Sequence, residues 1–260
     1  GGACALAGVT IYPVDGQKGQ FSAEQVAELM SYPFSLRRPG VRVVSVEQTA
    51  NSPGGCIWPL EQMRAVCEVT HEKGAIAHMD GARLLNAVVA TGISPQDYAE
   101  TFDSVWIDLS KGLGAPVGGV LAGSEAFIQQ AWGWKHRLGG AMRQSGILAA
   151  AGIYALKHNV DRLAEDHINA KRFAKGIYSA EGIAVDPDSV ETNMVRFDVA
   201  DTGLSSSAFV ERLIGEEGVR VSTPGPTALR AVPHLGITED DIYSAVESIH
   251  GLAERIVEGV

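Results

Sequence analysis

The sequence has little cysteine: Cys4, Cys56 and Cys67 are the only three in 260 residues. An odd number without metal-ligand spacing excludes a disulfide framework, and the expectation is reduced thiols in a cytoplasm, serving as small apolar core residues. A basic block is also missing. Acidic residues number 31 against 21 basic ones, and the net charge is −10. Such a charge gives no footprint for nucleic acid or an anionic membrane, so neither is expected as a partner. No apolar run reaches the length of a membrane span, and no basic-then-apolar signal opens the chain. Internal repeats and low-complexity tracts are absent as well. There is no initiator methionine: the chain begins Gly1-Gly-Ala-Cys-Ala-Leu-Ala-Gly-Val-Thr-Ile11.

What is present is a globular composition, 45% hydrophobic, enough for one sizeable core or two modest ones. Short apolar runs alternate with helical patterns. Val9 to Val14 reads as a strand, Ser22 caps a helix, and Pro33 and Pro39 bracket an irregular piece. Val41 to Val46 is a valine-rich strand ending in the polar loop 47–55. Pro59 starts a helix through Lys73 that Gly74 ends. This alternation predicts a parallel, doubly wound sheet. Arg143 through Tyr178 reads as two long helices. Beyond them, the strands Asn193–Val199, Gly218–Val221 and Ala228–Val232, with helices from Ser205 and over Glu239–Val257, predict a smaller α+β unit. The boundary divides the chain into residues 1–155 and 156–260.

Two strand ends carry chemistry. Val105, Trp106, Ile107 and Leu109 form an apolar run that stops at Ser110-Lys111, and a loop rich in glycine and proline follows. An unpaired ammonium in an apolar setting is costly, whereas the C-terminal edge of an open α/β sheet is where such folds build their sites. A lysine placed there can act as a nucleophile toward carbonyls; it also fits a surface turn, and its partners decide. The chief partner is Asp80, at the end of the run Ala75–Asp80, one helix and one strand upstream. Pyridoxal phosphate enzymes pair a Schiff-base lysine with an acid that keeps the pyridine nitrogen protonated. Asp80 equally suits the cap of a helix starting near Ala82, and both roles can hold. Arg230 lies on an apolar alternating strand, and its guanidinium fork suits a carboxylate.

Three segments then speak together: His-Met-Asp-Gly-Ala-Arg-Leu-Leu-Asn-Ala (78–87), Leu-Ser-Lys-Gly-Leu-Gly-Ala-Pro-Val-Gly (109–118) and Gly-Gly-Ala-Met-Arg-Gln-Ser-Gly-Ile-Leu-Ala-Ala-Ala (139–151). They closely resemble the low-specificity L-threonine aldolases, members of the aspartate-aminotransferase-like (fold type I) pyridoxal phosphate enzymes, and the resemblance runs the length of the chain. It implies a large α/β domain that binds pyridoxal 5'-phosphate and a small C-terminal domain. The implied reaction is retro-aldol cleavage of L-threonine and L-allo-threonine to glycine and acetaldehyde. Lys111 would hold the cofactor, Asp80 would protonate its ring, Ser110 and Arg83 would lie against it, and Arg230 with Arg83 would bind the α-carboxylate of a small amino-acid substrate. A homotetramer, a dimer of dimers, is the implied assembly.

The chain departs from the family in places. Where relatives read Glu-Asn-Thr-His, it has Glu47-Gln48-Thr49-Ala50, so no role passes to that histidine. Relatives often carry Arg-Lys where it has Lys135-His136, within a basic segment that also suits a solvated helix end. His78 and His234 read as structural. His71, His158 and His167 lie in polar helical context and receive no role. No residue stands out as the base, and no Ser-Gly-Thr-like phosphate turn is present. The expectation is an N-terminally incomplete copy that binds the cofactor weakly. Two alternatives stay open: another fold type I lyase or an aldolase for bulkier β-hydroxy amino acids, and an inactive, truncated relative.

Overall fold

The computed structural model describes residues 2–32, 35 and 39–259; Pro33, one end of the irregular piece, lies outside them. In chain order the elements are α1 (Gly2–Ala7), α2 (Ala23–Ser31), β1 (Val43–Glu47), α3 (Leu60–Glu72), β2 (Ile76–Gly81), α4 (Leu84–Thr91), α5 (Pro95–Ala99), β3 (Ser104–Asp108) and β4 (Gly119–Gly123). There follow α6 (Glu125–Arg137), α7 (Gly146–His158), α8 (Leu163–Ile177), β5 (Ala184–Val185), β6 (Val195–Asp198), α9 (Ser206–Glu217), β7 (Ala228–Ala231) and α10 (Glu239–Glu258). Local chemistry sets several ends. Ser22 closes a capping box on α2, its Oγ accepting from Gln25 N while Gln25 Oε1 accepts from Ser22 N. Thr238 and Asp241 repeat the device on α10.

The first sheet has the order β1-β2-β3-β4. β1–β2 and β2–β3 are parallel, while β3–β4 is antiparallel. The reason for the reversal is the connection: residues 109–118 contain no helix, and a parallel return normally needs a helical crossover. β2 alternates, with Ala77, Met79 and Gly81 buried and His78 and Asp80 half-buried on the opposite face. The buried face belongs to a core with Phe21, Val26, Val46, Trp58, Met63 and Tyr98. The second sheet, β5-β6-β7, is antiparallel. Phe173 and Ile177 of α8, Phe209 of α9 and Ile249 of α10 share a second core with Val195, Phe197 and Leu229 of this sheet.

Two expected strands are absent. Residues 8–16 have no regular structure and Val9, Ile11 and Tyr12 are exposed, because no described strand lies alongside to pair with them. Gly218 ends α9 in a left-handed conformation, and only an isolated bridge, Ser222 to Arg230, follows. Pro224 and Pro226, which lack an N–H, prevent a longer ladder.

His167 is helical as expected but buried. It ties α8 to α4: Asn86 Nδ2 donates to His167 Nε2 at 3.1 Å, which requires that ring nitrogen to be unprotonated. Burial pushes the imidazole down to about 4, and the Lys171 cation adds to the effect. The folded value lies below the ordinary 6.5, so the stability that His167 contributes is present above pH 6.5 and is lost as pH falls toward 4. His167→Gln should therefore flatten the dependence of unfolding free energy on pH across that window, measured by urea titration at a series of pH values. An unchanged slope would contradict this account.

Candidate active site

The register of the parallel strands assembles the site. Glu47, Asp80 and Trp106 lie side by side across β1, β2 and β3, so the three strands end at one edge. Asp80 Oδ1 accepts from Ala82 N at 3.1 Å. That is a local turn and not a helix cap, since α4 begins only at Leu84 with Arg83 at its cap position. Asp80 makes no ion pair among the described residues, which leaves its carboxylate available to an incoming N–H donor. Two residues back on the same face, His78 Nδ1 meets Ser104 Oγ at 2.8 Å. Burial pushes the His78 imidazole down, and the Asp80 charge opposes that shift.

Lys111 stands three residues beyond the end of β3. Its Nζ lies 3.2 Å from Asp108 Oδ2 and 5.1 Å from the centre of the Trp106 ring. Asp108 Oδ1 also accepts from Ser110 N at 2.6 Å, Ser110 Oγ at 2.7 Å and Lys111 N at 3.2 Å. Burial raises the Asp108 carboxyl, but these donors and the lysine charge outweigh it and hold the group below its ordinary value. One carboxylate thus anchors the turn that carries the lysine. Beneath the turn lies α8. A Cβ at Gly112 would meet Leu163 Cδ2 at 2.7 Å, so a side chain there would force that buried leucine to move. Asn159 Nδ2, at the C-terminal cap of α7, donates to Leu113 O at 2.7 Å. Asp166 is buried and paired with Arg162 at 2.5 Å.

Arg83 and Arg230 come together although they are far apart in sequence. Arg230 Nη1 donates to Asn51 Oδ1 at 2.8 Å, and Arg83 Nη1 reaches the same oxygen at 3.5 Å. Burial and the adjacent Arg230 cation push the Arg83 guanidinium down from its ordinary value, with Glu47, Asp108 and Asp80 opposing them. Neither arginine has a carboxylate within ion-pair distance among the described residues. This is a donor set suited to a bound carboxylate. The basic segment behaves differently: Lys135 lies over Trp132 at 4.6 Å and Arg137 over Trp134 at 5.0 Å, on their own helix.

The profile of the family described as beta-eliminating lyase matches residues 1–200. The chain belongs to the beta-eliminating lyase family. Within it, the chain groups with the low-specificity L-threonine aldolases. It is 37% identical over 243 residues to the low specificity L-threonine aldolase of Escherichia coli (strain K12), a match covering 93% of this chain and 69% of that one. It is 39% identical over 206 residues to low-specificity L-threonine aldolase 1 of Arabidopsis thaliana, covering 79% of this chain and 57% of that one. The chain thus spans roughly three fifths to two thirds of the length of these relatives. Among solved structures, the Leishmania major threonine aldolase superposes with a TM-score of 0.75 at 17% identity, over 97% of this chain and 73% of that one. An Oryza sativa protein, TDC, solved with PLP and tryptamine, gives 0.71 at 19% identity, over 98% and 58%. The fold is accordingly the fold type I architecture, with a mostly parallel sheet.

Three residues of the site were not singled out from sequence. Asp108 had a signal, an acid inside an otherwise apolar run. Asn159 and Asn51 had none, because an asparagine in a loop is ordinary turn chemistry until its partners are seen. The anchor role of Asp108 is open to direct measurement. In Asp108→Ala the amides of Ser110 and Lys111 should exchange with solvent at least about tenfold faster, since a charge-assisted bond to each is lost. Exchange at the wild-type rate would show that the turn is held by other contacts.

Proposed function

We propose that the chain carries the catalytic centre of a pyridoxal phosphate-dependent carbon–carbon lyase that cleaves L-threonine and L-allo-threonine to glycine and acetaldehyde. The observation that carries this reading is the parallel pairing of β2 with β3, which brings Asp80 and the Lys111 turn to one sheet edge. The residues fit the cofactor. Lys111 supplies an amine for its aldehyde, Asp80 an unpaired carboxylate for its pyridine nitrogen, and Ser110 and Arg83 flank them. The chemistry that pyridoxal phosphate supplies when bound is an electron sink for the pair released at Cα.

The chain's own residues do the rest. Arg230 and Arg83 bind the α-carboxylate and fix the amino acid's orientation, so that the Cα–Cβ bond is presented for cleavage. Asp108 anchors the turn that carries Lys111 and would pair with the lysine's ammonium whenever its amine is not bonded to the cofactor. We read residues 1–155 as the cofactor-binding unit and 156–260 as the small unit. A cytoplasmic homotetramer is part of the same proposal. Support for the compartment comes from the free thiols of Cys4, Cys56 and Cys67. Support for assembly comes from the apolar side chains exposed along α6 and α7, including Trp132, Trp134, Ile147 and Tyr154. No helix among the described residues is long and apolar enough to cross a membrane.

A steady-state assay of acetaldehyde and glycine release from L-threonine tests the reading. Arg230→Leu should raise KM by an amount equivalent to about 2–5 kcal/mol, the cost of leaving half of a charge-assisted pair unmade. Arg230→Lys should recover only part, because an ammonium is not a planar fork. Asp80→Ala should retain cofactor while kcat collapses. An unchanged KM in Arg230→Leu would remove Arg230 from the site.

A further inference from the structure

Three guanidinium groups converge on two adjacent residues. Arg83 and Arg230 both donate to Asn51 Oδ1, and Arg196 Nη1 donates to Ser52 O. Arg196 and Arg230 are direct cross-strand partners on β6 and β7, an arrangement that like charges disfavour. All three lack a carboxylate within ion-pair distance among the described residues. Among the described residues the acceptors that hold them are neutral: the Asn51 amide, the Ser52 carbonyl and, for Arg230 Nε, the Ser222 hydroxyl at 3.2 Å.

The loop presenting those acceptors is fastened on several sides. Asn51 N donates to Glu47 Oε2 at 3.0 Å. Thr192 Oγ1 donates to Gly55 O at 2.8 Å, and Ile57 N donates to Glu191 Oε2 at 2.7 Å. A side chain at Gly55 would lie 2.5 Å from Thr192 Oγ1, so the contact leaves no room for one. Asn51 is therefore held by its backbone, and its amide oxygen sits where both arginine forks point. Its Nδ2 donates to nothing among the described residues.

From this we infer that Asn51 is a positioning residue for a carboxylate-binding site. Its neutral oxygen aims Arg83 and Arg230 at one spot without cancelling their charge. An aspartate at 51 would satisfy the same bonds but cancel one of the pair's two positive charges and occupy the forks itself, acting as a built-in competitor. The inference rests on the proposed reading of the two arginines as the carboxylate site and adds a residue to it.

The test uses the 260-residue chain, acetate as the probe and phenylglyoxal as an arginine-selective reagent, with modification mapped by mass spectrometry at constant ionic strength. In the wild type, acetate should slow modification of Arg83 and Arg230. In Asn51→Asp, both should modify about tenfold more slowly without acetate, and acetate should add no further protection. In Asn51→Ala, modification should be faster than in the wild type and acetate should protect less; protection equal to the wild type there would overturn the role of Asn51. Circular dichroism confirms that each variant is folded; should the aspartate variant fail to fold, the alanine variant decides. If acetate protects the wild type and Asn51→Asp behaves identically, the role of Asn51 is wrong while the arginine site stands. If acetate does not protect the wild type at all, both fall together.

Discussion

The parallel pairing of β1, β2 and β3 is the constraint on which the rest depends. Side-by-side register places Glu47, Asp80 and Trp106 on one line; Asn51, Arg83 and the Lys111 turn follow the ends of those strands, and Arg230 meets them from β7 of the second sheet. A slip of one residue in β2 would turn Asp80 and His78 into the face now occupied by Ala77 and Met79 and would bury a carboxylate in the core. The hydrophobic alternation of β2 thus fixes which way the acid points. Chemistry and packing use opposite faces of one strand.

The second layer of organisation is the loop after β1. It leaves the sheet at Glu47, accepts Arg83 N through Gln48 O, and is fastened by Glu191, Thr192 and Arg196 from the segment around β6. Gln48 is fully buried and bonds both backbone groups of Trp58, so the loop closes on itself before it reaches the second sheet. Residues 47–57 therefore join the two sheets and carry Asn51 to the point where Arg83 and Arg230 meet. The Lys111 turn is supported in a comparable way from below, by Leu163 and Asn159. Both functional loops are short, and both are bonded to elements far away in sequence.

Much of this was legible in the sequence, for physical reasons. Apolar runs of strand length closed by Gly, Pro or charged residues identify β1, β2 and β3, because a strand buried on one or both faces has few other ways to be written. The capped helices α2 and α9 announce themselves through Ser22 and Ser205. Val9–Val14 misled because β propensity describes fit to a pleated neighbour, and the structure offers none there. The convergence of Arg83, Arg196 and Arg230 on residues 51–52 was not legible, since it depends on how two sheets meet. The burial of His167 was hidden for the same reason: its neighbours in the chain are polar, but its neighbour in space is Asn86.

The central claim is that the edge shared by β2 and β3 presents one lysine to the cofactor's aldehyde. Reducing the chain with borohydride in the presence of pyridoxal phosphate, followed by proteolysis and mass spectrometry, tests it most directly. The pyridoxyl group should be found on Lys111, with Lys18 and Lys135 unmodified at stoichiometric cofactor. A label distributed over surface lysines, or concentrated on Lys135, would contradict the account.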